Sequence, residues 1–87
     1  MHDEVSRVTE DFMRDRRERF VSLAEARTAK ALNAIRLLGN LSNRSNYDYT
    51  DADVSQIVRA LETEIRAMKL RFAEASAGKE RAFRLEP

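Results

Sequence analysis

The side chains best suited to recognition chemistry lie in one polar segment, GNLSNRSNYDYTDADV, at residues 39–54. The segment combines amide, guanidinium and phenol groups, and arginine and aromatic side chains dominate the energetics of protein interfaces. We therefore predict a partner-binding loop formed by Asn43, Arg44, Asn46, Tyr47 and Tyr49. The alternative is a purely structural connector, because Asn, Ser and Asp hydrogen-bond their own backbone in turns and a tyrosine ring can cover the end of a bundle.

A second candidate is the basic run RDRRER, which contributes Arg14, Arg16, Arg17 and Arg19. On a helix, Arg16 and Arg19 share a face, and such a face could contact nucleic-acid phosphates or an acidic partner. Acidic residues are interleaved at spacings that favour ion pairs within the helix, such as Asp11–Arg14 and Asp15–Arg19. The pattern therefore favours a solvated, salt-bridged helix face over a nucleic-acid interface.

A third candidate is the apolar stripe of Val5, Val8 and Phe12, whose spacings of three and four residues are typical of an amphipathic helix. Such a stripe is either a partner helix that enters a groove on another protein, or part of the core of a dimer.

Catalytic and metal-binding residue types are poorly represented. The chain has no cysteine and one histidine, His2, and it contains no glycine-rich phosphate loop and no nucleophile elbow. Asp48, Asp51 and Asp53 do not have the spacing of an EF-hand loop, which needs a central glycine and a distal glutamate. We predict that the protein is not an enzyme and has no metal site and no cofactor.

The residues around the polar segment predict an all-α fold of two helices. Residues 3–38 contain no Gly or Pro and are rich in helix-forming residues. Two apolar stripes with alternating steps of three and four, here called the α1 seam and the α2 seam, indicate heptad packing. The α1 seam consists of Val21, Ala24, Thr28, Ala31, Ile35 and Leu38. The α2 seam consists of Val54, Val58, Leu61, Ile65, Met68, Phe72 and Ala75.

These patterns predict helices over about residues 20–38 and 51–77, a loop over 39–50 and a tail over 78–87. Residues 1–19 form a charged helical extension that either continues the first helix or bends at the arginine run. A left-handed Gly39 is expected to end the first helix at Leu38, and Gly78 the second. Thr50 and Asp53 form a capping-box-like start for the second helix.

The size of the chain predicts self-association. An antiparallel hairpin of 87 residues with no disulfide cannot bury two broad apolar faces, so we expect a homodimer that forms a four-helix bundle. The net charge of +1 argues against an obligatory polyanion binder. The absence of a long apolar run and the acidic start predict a cytoplasmic protein without membrane contact.

The motif RLLGNLSNRSNYDYTDADV at residues 36–54, with RFVSLAEART upstream and RALETEIRAMKLRF downstream, resembles a group of small, mostly uncharacterised bacterial proteins from phage and mobile-element neighbourhoods. The resemblance covers roughly residues 18–73 and implies a helical hairpin with an accessory or regulatory role. It implies no catalytic residues. Rop-type plasmid regulators, which bind RNA, are similar in expected architecture only.

The sequence therefore predicts a small regulator or inhibitor that binds an unidentified protein, and the resemblance implies that a phage or mobile element encodes it. The alternative is a Rop-like nucleic-acid-binding regulator that uses the arginines of the first helix.

Overall fold

The fold of this protein is all-helical, as predicted. The structure is a computed structural model that describes the backbone of residues 2–82 and the side chains of residues 9–77. Helix α1 spans His2–Gly39, a 3-10 helix spans Asn40–Ser42, and α2 spans Asp51–Ala82. Two helices joined by a short polar segment are consistent with the expected hairpin. The chain divides between Tyr47 and Asp48 into two units, which are described separately below.

Helix α1 is continuous through the arginine run. All of residues 14–19 are helical, so these residues do not form a linker between two shorter helices. The sequence explains this continuity, because the run contains no Gly or Pro and arginine and glutamate have high helix propensity. The charged extension and the α1 seam therefore belong to one element.

The end of α1 differs from the predicted one. Gly39 has φ −61° and ψ −28°, which is right-handed helical geometry, and the chain then tightens into the 3-10 helix. The expectation of a left-handed cap at Gly39 is therefore wrong. The chain leaves helical geometry only at Asn43, whose φ of −70° and ψ of 101° are extended. Helix ends commonly finish in a 3-10 turn, which supplies hydrogen bonds without a left-handed residue.

The substitution Gly39→Ala should consequently raise the free energy of unfolding by about 0.5–1 kcal/mol. Apart from residue 39 itself, its chain neighbours and the adjacent helix backbone, no atom lies within 4 Å of the position that an alanine Cβ would occupy, so the gain in helix propensity meets no steric cost. Urea unfolding at one fixed protein concentration measures the change. Ala34→Gly, the reverse substitution on exposed α1 surface, should lower stability by a similar amount; destabilisation by Gly39→Ala would indicate a left-handed residue instead.

Helix α2 begins with a reciprocal capping box, which confirms the predicted start. The backbone N–H of Asp53 donates to Thr50 Oγ1 at 3.1 Å, and the backbone N–H of Thr50 donates to Asp53 Oδ2 at 2.9 Å. Two backbone donors that the helix cannot satisfy are thereby paired. Asp51 and Asp53 also place negative charge at the positive end of the helix dipole.

Because of the cap, replacing threonine with alanine should change the stability of the protein differently at two positions of the chain. Thr50→Ala should destabilise the protein by about 1 kcal/mol, because it removes a capping acceptor. Thr63→Ala should be neutral or stabilising, because Thr63 is inside α2 and its hydroxyl only donates back to the Arg59 carbonyl at 2.9 Å. Urea unfolding of both variants compares them directly, and equal losses would contradict a specific cap at Thr50.

Helix α2 is longer than expected. It continues past Gly78 to Ala82, so the prediction that Gly78 ends it is wrong. At 1.5 Å per residue, α1 and α2 are about 57 Å and about 48 Å long. The two lengths therefore differ by about 9 Å.

Both apolar seams lie on the surface. No side chain among residues 9–77 is buried, and Val21, Ala24, Tyr49 and Leu61 are the half-buried ones. Within the α2 seam, Ile65 is 49% exposed and Phe72 is 58% exposed. Full burial of a side chain of this size stabilises a fold by roughly 1.5–3 kcal/mol. The exposed seams would therefore contribute much more stability if they were packed against another surface.

Candidate protein-interaction site

The segment after α1 is a turn organised by Asn43. The side-chain Oδ1 of Asn43 accepts a hydrogen bond from the Ser45 N–H at 3.0 Å. The Asn43 carbonyl accepts from the N–H groups of Asn46 at 3.1 Å and Tyr47 at 3.0 Å. Asn43 therefore has a structural role, typical of an Asx turn, that the sequence also allowed.

The turn leaves other predicted binding residues on the surface. Arg44 and Asn46 are exposed, and Tyr47 is 48% exposed. These three side chains belong to the first unit. Tyr49 is half-buried and belongs to the second unit, next to the capping box. The residues predicted for the loop site are thus divided between the two units.

The arginine run is engaged with its own helix. Arg14 Nη2 lies 3.9 Å from Asp11 Oδ1, which confirms that ion pair, while the described Asp15 and Arg19 side chains do not form the second expected pair. The Cζ atoms of Arg16 and Arg17 each lie 5.7 Å from a phenyl ring centroid, those of Phe12 and Phe20 respectively. Cation–π contacts at exposed positions contribute about 0.5–1 kcal/mol.

Those contacts alter the interpretation of the run. When an arginine places its guanidinium group over a phenyl ring, its alkyl stem covers apolar surface. The side chain then contributes to packing as well as to charge. Three of the four predicted arginines, Arg14, Arg16 and Arg17, therefore have partners on α1 itself. Arg19 remains exposed. The arrangement fits a solvated helix face better than a surface preorganised for phosphates.

The predicted N-terminal stripe is only partly within the described side chains. Val5 and Val8 lie on the α1 backbone, but their side chains fall outside residues 9–77. Phe12 is 61% exposed, and so is its neighbour Met13, which the sequence interpretation omitted. Met13 shares a helix face with Arg17 and Phe20, because these residues are spaced by four and three. This spacing could have predicted, from the sequence alone, a second stripe on α1.

Neither a metal centre nor a membrane span occurs in the described region. Across residues 9–77, no three His, Cys, Asp or Glu side chains come together in a way that could hold a metal ion. Neither of the described helices has an apolar stretch of the length needed to cross a membrane.

Comparison with known proteins identifies no relative. No protein-family model, curated protein or solved structure matches the chain. The resemblance of residues 36–54 to mobile-element proteins therefore stays a prediction, and function is inferred below from the helices and the turn.

Proposed function

We propose that this protein is a non-enzymatic regulator or inhibitor that acts by protein–protein binding. In this proposal two hairpins associate as a homodimeric four-helix bundle. The observation that carries it is the exposure of two continuous apolar seams on helices of more than thirty residues, with no buried side chain among residues 9–77. A helix with a sustained apolar stripe gains stability mainly by packing it against another element.

The residue types on the two seams suit such a bundle. The α1 seam contains Ala24, Thr28 and Ala31, whereas the α2 seam contains Leu61, Ile65 and Phe72 at its centre. Small residues allow the helices of a bundle to approach closely, and large ones fill the space between them.

Regulation in this proposal uses surfaces that remain outside the bundle. Arg44, Tyr47 and Tyr49 would contact the target protein, and the stripe of Val5, Val8 and Phe12 would extend that contact or complete the dimer core. Arginine and tyrosine combine large contact area with directional hydrogen bonds, which suits an interface centre. A cytoplasmic location and an origin in a phage or mobile element are parts of the same proposal.

Two measurements test it. Analytical ultracentrifugation at micromolar concentrations should find a dimer, and a folded monomer of about 10 kDa would contradict the bundle. Capture from bacterial lysate should then recover a protein partner at moderate salt, even after nuclease treatment. Replacement of Arg44, Tyr47 and Tyr49 with Ala should abolish capture and leave the dimer intact, whereas a control with Arg59, Leu70 and Glu74 replaced by Ala should retain both.

The nucleic-acid alternative rests on the exposed Arg16 and Arg19, and the ring contact of Arg16 weakens it. Binding to phosphates should decline steeply as salt rises and should be lost in the double variant Arg16→Glu, Arg19→Glu. Recovery of nucleic acid alone at low salt would support this alternative, and no DNA or RNA mobility shift at low salt would remove it.

A further inference from the structure

We propose that the partner of the α2 seam is α2 of a second copy of this chain, packed antiparallel, with the two-fold axis passing between Arg66 and Ala67. This inference rests on the proposed homodimer and specifies its central contact. It is carried by two properties of α2: the symmetry of the seam and the order of the charges that flank it.

Six of the seven α2 seam residues are arranged symmetrically about the point between Arg66 and Ala67, and Val54 lies beyond them without an apolar counterpart. The steps of the seam alternate between four and three, so Ile65 and Met68 are equally distant from the midpoint of the helix face, as are Leu61 and Phe72, and Val58 and Ala75. In an antiparallel pair each of these residues would face the other member of its pair on the second copy. Such a self-complementary contact is what a two-fold symmetric interface requires.

The charges beside the seam are negative on its first half and positive on its second half. Glu62 and Glu64 flank the first half, and Lys69 and Arg71 flank the second. Glu62 and Lys69 each follow a seam residue, whereas Glu64 and Arg71 each precede one. Charges at these positions set the orientation and partner choice of packed helices. All four side chains are exposed and none forms an ion pair within the described chain.

The antiparallel register would bring opposite charges together on both sides of the seam. Glu62 would face the partner's Lys69 and Glu64 would face the partner's Arg71. The two-fold axis repeats both contacts, so the interface would contain four ion pairs. Charges that form no ion pair within the described residues would then be paired with opposite charges of a second, identical chain.

The same pattern disfavours the neighbouring registers. A shift by one heptad in one direction would place Glu62 against the partner's Glu62, and Glu64 against the partner's Glu64. The opposite shift would oppose Lys69 and Arg71 with their own counterparts. A parallel pair would retain only the contact between Glu64 and the partner's Lys69. Like charges opposed across an interface suppress wrong pairings, so one register is selected.

The α1 seam does not have this property. Leu32 and Ala34 flank its second half, so no ordered set of opposite charges surrounds it. Of the two seams, α2 is therefore the one whose flanks specify a second copy.

Complementary charge variants test the pairing. The variant Glu62→Lys, Glu64→Lys and the variant Lys69→Glu, Arg71→Glu should each dimerise roughly 100-fold more weakly than the unmodified chain, because every flanking contact becomes repulsive. Mixed in equal amounts, they should form a one-to-one heterodimer of near-normal affinity. The matched control Arg59→Glu, Arg66→Glu changes the net charge as much as the second variant does, but outside the flanks, and should dimerise normally. Sedimentation of each species and of the mixture measures these constants, and variants that dimerise as well alone as mixed would overturn the pairing.

Cysteine cross-linking tests the orientation, since the chain has no cysteine of its own. Val58→Cys mixed with Ala75→Cys should form an intermolecular disulfide on oxidation, while neither variant cross-links with itself. Self-cross-linking of Val58→Cys would show a parallel pair and overturn the orientation. A dimer with no disulfide in the mixture would place the interface elsewhere and overturn this inference, but not the homodimer. A monomeric unmodified chain would overturn the proposed homodimer as well.

Discussion

Replacing Leu61 with Asp is expected to dissociate the dimer and to unfold most of the protein at micromolar concentration. Leu61 is a half-buried residue of the α2 seam. In the proposed interface it faces Phe72 of the second copy. The substitution removes roughly 1.5–3 kcal/mol of burial per chain. It also places an unpaired carboxylate in an apolar contact, and burial of an uncompensated charge costs several kcal/mol. Circular dichroism and sedimentation should show loss of helix and loss of the dimer together.

Leu70 provides the matched control for that substitution. It is a large apolar residue of α2 that lies off the seam, and it is 56% exposed. Leu70→Asp makes the same chemical change nine residues further along the same helix, and surface substitutions of this kind usually change stability by no more than about 0.5 kcal/mol. Equal losses from Leu61→Asp and Leu70→Asp would mean that α2 is buried on a different face from the one its spacing indicates.

The elements of the fold were predictable from the sequence, because they depend on local rules. A long stretch without Gly or Pro and a regular three-four spacing are sufficient to indicate each helix. The capping box at Thr50 and Asp53 was also readable, since it needs only two side chains at a fixed separation. Residues whose effect is confined to one helical turn are those that sequence patterns describe best.

The error at Gly39 has a physical origin. Glycine is common at left-handed helix ends, but it adopts right-handed geometry at little cost when the chain can continue to wind. Here Asn40, Leu41 and Ser42 continue as a 3-10 helix, and Asn43 then ends it by accepting hydrogen bonds from the residues that follow. The stop is therefore determined by an asparagine four residues further on.

The sequence predicted which residues make up the candidate site, but not which of them form contacts within their own chain. Asn43 looks as suited to recognition as the other polar residues of its segment, yet its side-chain amide oxygen is used within the turn. The ring contacts of Arg16 and Arg17 likewise depend on side-chain conformations that spacing permits without requiring. Which polar groups form contacts within their own chain is decided by three-dimensional geometry.

Insertion of a single alanine between Arg66 and Ala67 is expected to be as disruptive as the Leu61 substitution, although it removes no side chain. The helix can absorb the extra residue, because alanine has the highest helix propensity. Each residue turns the helix by about 100°, however, so Met68, Phe72 and Ala75 would leave the face that contains Val58 and Leu61. The seam would be divided at its centre, with an expected loss of at least about 3 kcal/mol in the free energy of unfolding, comparable with large core disruptions.

An alanine inserted between Asp48 and Tyr49 distinguishes seam continuity from chain length. These residues lie outside both helices, in the segment between the turn and the capping box. Lengthening a connector by one residue adds only a few tenths of a kcal/mol of closure entropy, so this variant should unfold at nearly the same urea concentration as the unmodified chain. Loss of the dimer only with the α2 insertion would show that one uninterrupted apolar face holds the assembly together. Equal loss from both insertions would assign the stability to the length of the connector and would require a different packing of the helices.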